Sequence, residues 1–378
     1  MDLLNSFLNL VVPPATMVMV ACAWPTLSFI TACERVFRNF YSENMEEKVV
    51  IITGASSGIG EQIAYEYAKR GANLVLVARR ENRLWGISEN ARRIGANHIM
   101  IIAADVVKEE DCRRFVEETV NYYGRVDHLV NTSSLGHTFS FEEATDTSVF
   151  PHMMGINFWG NVLPTYIALP YLRRSGGRIV VNASVESWLP MPRMSLYAAA
   201  KAAVVNFYET LRFELRNEVG ITVATHGWIG SEMISGKLLI DEGAEMQWKE
   251  EREVLCYSLL FLIYTKELHL LHNFCFQMSV TGDHVQKYAK WIVDGACRGD
   301  AYVKYPSWYD TFMVYRAFTP DILQWTFQLL LASDGSRRTT SYVGTGRAPT
   351  ETTSPTKLLT PGPFAFAPPS PPRQFKTE

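Results

Sequence analysis

Tyr197 and Lys201 stand four residues apart in the run SLYAAAKAAVVNFYETLRFEL, and on a helix that spacing puts both side chains on one face. Ser184 ends a β-branched run thirteen residues before the tyrosine. A phenol, an ammonium and a hydroxyl so arranged suit one chemistry well. Hydride delivered to a carbonyl leaves an oxyanion that needs a proton. A phenol can supply it when a nearby ammonium lowers its ordinary pKa of ~10. The serine can hold the same oxygen. Asn157, in MMGINFWGN, is a candidate to carry a water that passes protons onward. The Tyr-x-x-x-Lys spacing also occurs at Tyr65 and Lys69, but there Ile52 stands where a serine would be needed. That second pair reads as two residues on a helix surface.

The hydride itself points to a dinucleotide, and the N-terminal part of the chain supplies a candidate site. KVVII (48–52) reads as a buried parallel strand and is followed by TGASSGIG (53–60) and a helical run. Gly54, Gly58 and Gly60 at a strand-to-helix turn let the backbone bend tightly and approach a pyrophosphate, whose charge the helix N-terminus favours. The next strand, ANLVLVARR, ends in Arg79 and Arg80. In a dinucleotide fold this end faces the adenosine ribose, where an arginine pairs with a 2′-phosphate and so favours NADP(H). Arg79 is assigned that role, and Arg80 is read as a solvated charge opening the next helix. A third strand ends at Asp105, placed to meet an adenine edge, and a fourth ends near Asn131. The alternation of strands and helices predicts an α/β fold, a right-handed, doubly wound parallel sheet of Rossmann type.

A formal charge of −3 carries no basic face of the kind nucleic acid requires. The six cysteines are scattered without a CxxC pair, so they read as thiols and no metal site is expected. Between Asp2 and Glu34 there is no charged residue, a length that matches the ~20 apolar residues of a membrane span. Pro13, Pro14 and Pro25 interrupt it, so residues 1–40 are expected to be a proline-broken membrane anchor. A cleavable signal peptide, a kinked transmembrane signal-anchor and a hairpin entering one leaflet all fit. Arg35 and Arg38 after it favour a cytosolic catalytic domain. Residues 41–332 read as the single catalytic domain, and 333–378, rich in Pro, Ser and Thr, as a disordered tail. Within the domain, 254–277 is an atypical apolar insertion, too short and too interrupted to span a bilayer. It reads either as a membrane-facing lid for a lipid substrate or as an insertion without function.

TGASSGIG, the strand end at Asp105, INFWG, and the set Ser184, Tyr197, Lys201 occur in the order that characterises the short-chain dehydrogenase/reductase family, which residues 47–330 closely resemble. The uncharged N-terminus, SENMEEKVVIITGASSGIGEQIAYEYAKRGANLVLVARR and CRGDAYVKYPSWYDTFMVYRAFTP further resemble the plant 11β-hydroxysteroid dehydrogenase-like, or steroleosin, group. The resemblance implies NADP-dependent oxidation or reduction of a steroid hydroxyl or ketone at a lipid-droplet or endoplasmic-reticulum membrane. It makes Tyr197 the general acid/base, Ser184 the substrate-positioning group, Lys201 the partner of cofactor and tyrosine, and Asn157 the end of a proton relay. Cofactor contacts are implied for Gly54, Ser56, Ser57, Gly58, Ile59, Gly60, Arg79, Asp105, Asn131, Thr132, Ser133, Tyr197, Lys201 and, through its backbone, Ile229. Two positions depart from the family pattern. Asn131-Thr132-Ser133-Ser134 replaces Asn-Asn-Ala-Gly, and His226-Gly227 replaces Pro-Gly. His226 is expected to be a structural substitution. Alternatives to a steroid-like substrate are other lipid carbonyls, or a lipid-droplet docking protein that keeps the fold with little turnover. A homo-oligomer is left open.

Overall fold

The computed structural model describes residues 2–227 and 282–325, apart from residues 57, 137–140, 145, 146, 192 and 306. The expectations for Ser57, Ile229, the apolar segment 254–277 and the tail 333–378 lie outside the described residues.

Seven β-branched runs form strands β1 (Val49–Thr53), β2 (Asn73–Ala78), β3 (Ile99–Ala103), β4 (His128–Asn131), β5 (Arg178–Asn182), β6 (Gly220–His226) and β7 (Tyr302–Tyr305). They pair in the order β3-β2-β1-β4-β5-β6-β7, every neighbour parallel. Parallel neighbours need long crossovers, and helices supply them. These are α2 (Gly58–Ala68), α3 (Glu81–Ile94), α4 (Glu109–Tyr123), α5 (Val149–Met154), α6 (Gly160–Ser175), α7 (Ser195–Glu214) and α8 (Gly282–Arg298), with α9 (Asp310–Phe318) after β7.

Side chains alternate between the two faces of a strand, and β1 uses both. Val50 and Ile52 join a core with Tyr67 of α2, Leu84 of α3 and Ile292 of α8. Val49 and Ile51 join one with Phe115 of α4, Leu172 of α6 and Val204 of α7. The sheet is therefore covered on both sides, as the continuous apolar strands predict. The strand order reverses between β1 and β4, which opens a crevice beyond their carboxyl ends, the place where doubly wound sheets bind ligands.

The N-terminus differs from the expected proline-broken pieces. Helix α1 (Asp2–Phe40) runs unbroken through Pro13, Pro14 and Pro25. Each proline deletes one intrahelical hydrogen bond, but the apolar run offers its other backbone groups no polar alternative to the helix. The 29 residues Leu10–Arg38 are long and apolar enough to cross a membrane, and none of that apolar stretch is buried in the protein.

The end of α1 is tied to the sheet's amino edge. Arg38 donates to the Gly299 carbonyl at 3.1 Å, and the Glu43 amide donates to the Cys297 carbonyl at 2.9 Å. The Glu43 carboxylate meets Nε2 of the buried His128, whose Nδ1 lies 2.8 Å from the Tyr67 hydroxyl. That bond to His128 is the main reason the Glu43 carboxyl falls to about 2.

Candidate active site

The glycine turn is built by close approach. Gly54 has φ +67°, and a Cβ there would lie 2.8 Å from the Ser133 amide nitrogen. A Cβ on Gly60 would lie 2.4 Å from the Gly54 carbonyl oxygen and 2.6 Å from Thr132 Oγ1. Only bare backbone fits at both positions. Thr132 completes the contact by donating to the Thr53 carbonyl at 2.6 Å, which ties the end of β4 to the start of the turn. Gly58 and Ile59 open α2 just beyond, so the first amides of that helix face the crevice end of the sheet. A helix N-terminus behind side-chain-free backbone fits a pyrophosphate, and among the described residues 54–56 and 58–60, with Thr132 and Ser133, are the ones that would hold it.

The two arginines after β2 divide their work differently from the sequence expectation. Arg79 is exposed. Arg80 is not simply a solvated charge. It is half-buried, and its guanidinium reaches Ser56 Oγ at 3.1 Å and the Ser56 carbonyl at 3.4 Å, bracing the glycine turn. Asp105 is half-buried and uses one carboxylate oxygen to accept from the Val107 amide at 3.3 Å, which fixes the turn after β3. Asn131 is drawn inward. Its side-chain nitrogen lies 3.0 Å from Thr165 Oγ1, 3.1 Å from the Asn161 carbonyl and 3.2 Å from the Tyr208 hydroxyl. Its side chain therefore joins β4 to α6 and α7.

At the reacting end, Ser184 follows β5 directly, and Tyr197 and Lys201 lie on the first turns of α7. All three are buried, at 1%, 1% and 0% exposure. The phenol hydrogen-bonds with the hydroxyls of Ser184 and Ser134. Burial pushes its pKa well above the usual 10, the Glu186 carboxylate pushes it further up, and the two serines oppose both. Lys201 donates to the Asn182 carbonyl at 2.9 Å, and its Nζ lies 5.7 Å from the centre of the Tyr197 ring. Burial lowers its pKa to about 8, with Glu186 working in the other direction.

Asn157 sits in a π-helical turn, Gly155–Trp159, between α5 and α6, a distortion often found at functional sites. Its Nδ2 donates to the carbonyls of Leu135 at 2.8 Å and Met153 at 3.1 Å. Its Oδ1 accepts from the Leu135 amide at 3.0 Å and from Ser134 Oγ at 2.9 Å.

Glu186 went unread in the sequence, and Ser134 and Arg80 were named there without these contacts. Glu186 is 5% exposed and accepts a very close hydrogen bond from the Ser184 hydroxyl. An acid two positions after the serine was the available signal. His226, expected to be structural, is buried, donates through Nδ1 to the Gly227 carbonyl at 2.7 Å and packs edge-on to Tyr288. Burial lowers its pKa, which keeps the ring neutral. The second pair separates as expected: the Tyr65 hydroxyl bonds Glu61 at 2.9 Å on α2, and Lys69, one residue beyond that helix, bonds Glu66 at 2.6 Å.

A phenol and an ammonium buried together with a hydroxyl beside them can hold a carbonyl or alcohol oxygen and exchange a proton with it, next to a turn whose bare backbone fits a dinucleotide's phosphates. Known proteins agree. The family model for short chain dehydrogenase matches residues 48–238. The 11-beta-hydroxysteroid dehydrogenase B of Sesamum indicum is 65% identical, with 97% of this chain and 98% of that protein covered. The 11-beta-hydroxysteroid dehydrogenase-like 5 of Arabidopsis thaliana is 64% identical, covering 96% and 87%. Among solved structures, a short chain dehydrogenase/reductase from Burkholderia phymatum in complex with NAD is 22% identical, covers 74% of this chain and 96% of its own, and superposes with a TM-score of 0.59. At that identity the likeness is one of fold.

Proposed function

Because the chain belongs to the short chain dehydrogenase family, we propose that this oxidoreductase acts with NADP(H) on a hydroxyl or ketone of a steroid-like lipid. The setting proposed is a lipid-droplet or endoplasmic-reticulum membrane, held through α1, with the catalytic domain in the cytosol. The observation that carries the reading is the buried set Ser184, Tyr197 and Lys201 at the carboxyl edge of the sheet. The names of the relatives support the steroid class, and the exposed apolar length of α1 supports the membrane.

The nicotinamide, when bound, supplies or takes the hydride. The protein's own work is the proton. In reduction the Tyr197 hydroxyl protonates the oxygen that becomes an alkoxide, and in oxidation the phenolate takes the proton of the alcohol. Ser184 holds that same oxygen, turning its hydroxyl from Glu186 to the substrate when a ketone arrives. The Lys201 ammonium stabilises the phenolate through space. Arg79, at the exposed end of β2, would meet a 2′-phosphate, with Arg80 holding the turn beside it. An apolar substrate partitions into lipid, so an enzyme fixed at that surface meets it at high local concentration.

A sterol panel with the full-length protein, followed by NADPH absorbance, tests the reading. Turnover is expected with at least one sterol alcohol or ketone, falling at least a hundredfold in Tyr197→Phe. Turnover that survives Tyr197→Phe overturns the catalytic assignment. A wild type with none that still coats lipid droplets is a docking protein instead.

A further inference from the structure

Ser134 is half-buried after β4, in the loop between the glycine turn and the substrate side. Two observations meet on its hydroxyl. Its Oγ lies 2.9 Å from Asn157 Oδ1, and its side chain hydrogen-bonds with the Tyr197 phenol. Which atom donates follows from counting. Both hydrogens of Asn157 Nδ2 are committed to the carbonyls of Leu135 and Met153. Oδ1 is therefore the acceptor, and with Tyr197 protonated the Ser134 hydrogen points at it. The Ser134 oxygen is then left as an acceptor for the phenol hydrogen, which it shares with the Ser184 oxygen, because the Ser184 hydrogen goes to Glu186.

We infer that Ser134 is a positioning residue of the proton-transfer step, its hydroxyl joining the Asn157 carboxamide to the Tyr197 oxygen and turning to donate to the phenolate once that oxygen becomes charged. The turn is favourable because a hydrogen bond to an anion is roughly twice as strong as one to a neutral amide. Asn157 Oδ1 tolerates it, since the Leu135 amide still donates there at 3.0 Å. No atom is gained or lost: the proton of Tyr197 goes to the substrate oxygen, or returns from it, while the Ser134 proton only changes direction. The π-helical turn holds Asn157 at the required height, so the distortion in that helix and the hydroxyl after β4 act as one device.

Other groups face Tyr197 as well. Lys201 lies on its own helix, Glu186 on the turn after β5 and Tyr288 on α8, while His226 at the end of β6 interacts with Glu186 and Lys201. Ser184, after β5, also carries a hydroxyl that can turn, but it turns from Glu186 to the substrate, and the Tyr288 hydroxyl donates to Asn182 Oδ1 at 3.0 Å. The inference rests on Tyr197 being the acid/base of the proposed reaction, yet it can be read without turnover. The ultraviolet absorbance of the phenolate is titrated in the full chain, with the corresponding Tyr197→Phe background subtracted. Ser134→Ala should raise the Tyr197 midpoint by about one pH unit, a tenfold loss of phenolate at a given pH. Ser134→Thr, which keeps the hydroxyl, should restore it. Thermal melts of the three proteins establish that each is folded. A midpoint unmoved by Ser134→Ala, or moved equally by Ser134→Thr, overturns the inference. With an active substrate in hand, the Tyr197-controlled limb of the kcat/KM profile should move in the same direction. A failed sterol panel beside a shifted phenolate midpoint would sink the substrate and leave the Ser134 device standing.

Discussion

Replacing Lys201 by methionine should make the protein more stable while destroying its activity. The Lys201 side chain is wholly buried, and burial lowers its pKa from the ordinary 10.5 to about 8, an outcome that already includes the attraction of Glu186. A depression of that size corresponds to about 3 kcal/mol of destabilisation from holding the charge inside. Methionine is also long and unbranched, and it carries no charge into the same space. Against the gain stands the lost bond to the Asn182 carbonyl, 2.9 Å from Nζ, worth about 1–2 kcal/mol. The net expectation is about 1–2 kcal/mol of stabilisation at pH 7. For a domain of this size that is a few degrees in Tm. The sign of the pH dependence is fixed. Below about pH 8 the lysine is charged in both folded and unfolded chains, so the wild type bears the full cost. Between about 8 and 10.5 the folded lysine is neutral and the unfolded one charged, so the wild type gains stability with rising pH. The advantage of Lys201→Met should therefore shrink across that window, until only the lost hydrogen bond remains. Thermal unfolding of both proteins without cofactor, from pH 7 to 10.5, measures it. A variant less stable than wild type at pH 7, or a difference that ignores pH, would refute the view that this ammonium is kept for catalysis at the expense of folding.

Three further outcomes follow from the cofactor end of the crevice. Gly60→Ala would place a Cβ 2.4 Å from the Gly54 carbonyl oxygen, so the turn must open, costing about 1–3 kcal/mol. Dinucleotide binding, read by quenching of protein fluorescence, should weaken at least tenfold, and unchanged affinity would show that the turn is not the pyrophosphate site. Arg79→Asp should shift preference from NADP(H) toward NAD(H), whereas Arg80→Ala should weaken both alike, because Arg80 braces Ser56 rather than reading a phosphate. A loss confined to NADP(H) in Arg80→Ala would reverse those roles.

Much of this molecule could be read along the chain. Strand positions such as Val49–Thr53 were legible because their β-branched residues are buried on both faces. The α7 face was legible because Tyr197 and Lys201 are a helical turn apart. The prolines misled, because a rule weighted for helices in water treats Pro13, Pro14 and Pro25 as breaks, and α1 runs through them. Arg80 misled for another reason: its neighbour along the chain is the opening of α3, but its neighbour in space is Ser56, 24 residues earlier.

Sequence alone determined the order of motifs and the doubly wound parallel sheet, since both depend on local spacing and on the alternation of strands with helices. Tertiary structure decided the wiring. Asn131 pairs in register with Thr53 on one side and Val181 on the other, so the loops after β1, β4 and β5 emerge together at one edge. That register brings Ser134 to the phenol of Tyr197 and to Asn157, and sets Glu186 against Ser184 in the same buried space. Spacing along a chain fixes which face of a local element a side chain occupies. Distances between loops from different strands exist only once the sheet has paired, and the direction of a hydroxyl is chosen by the partners it finds there.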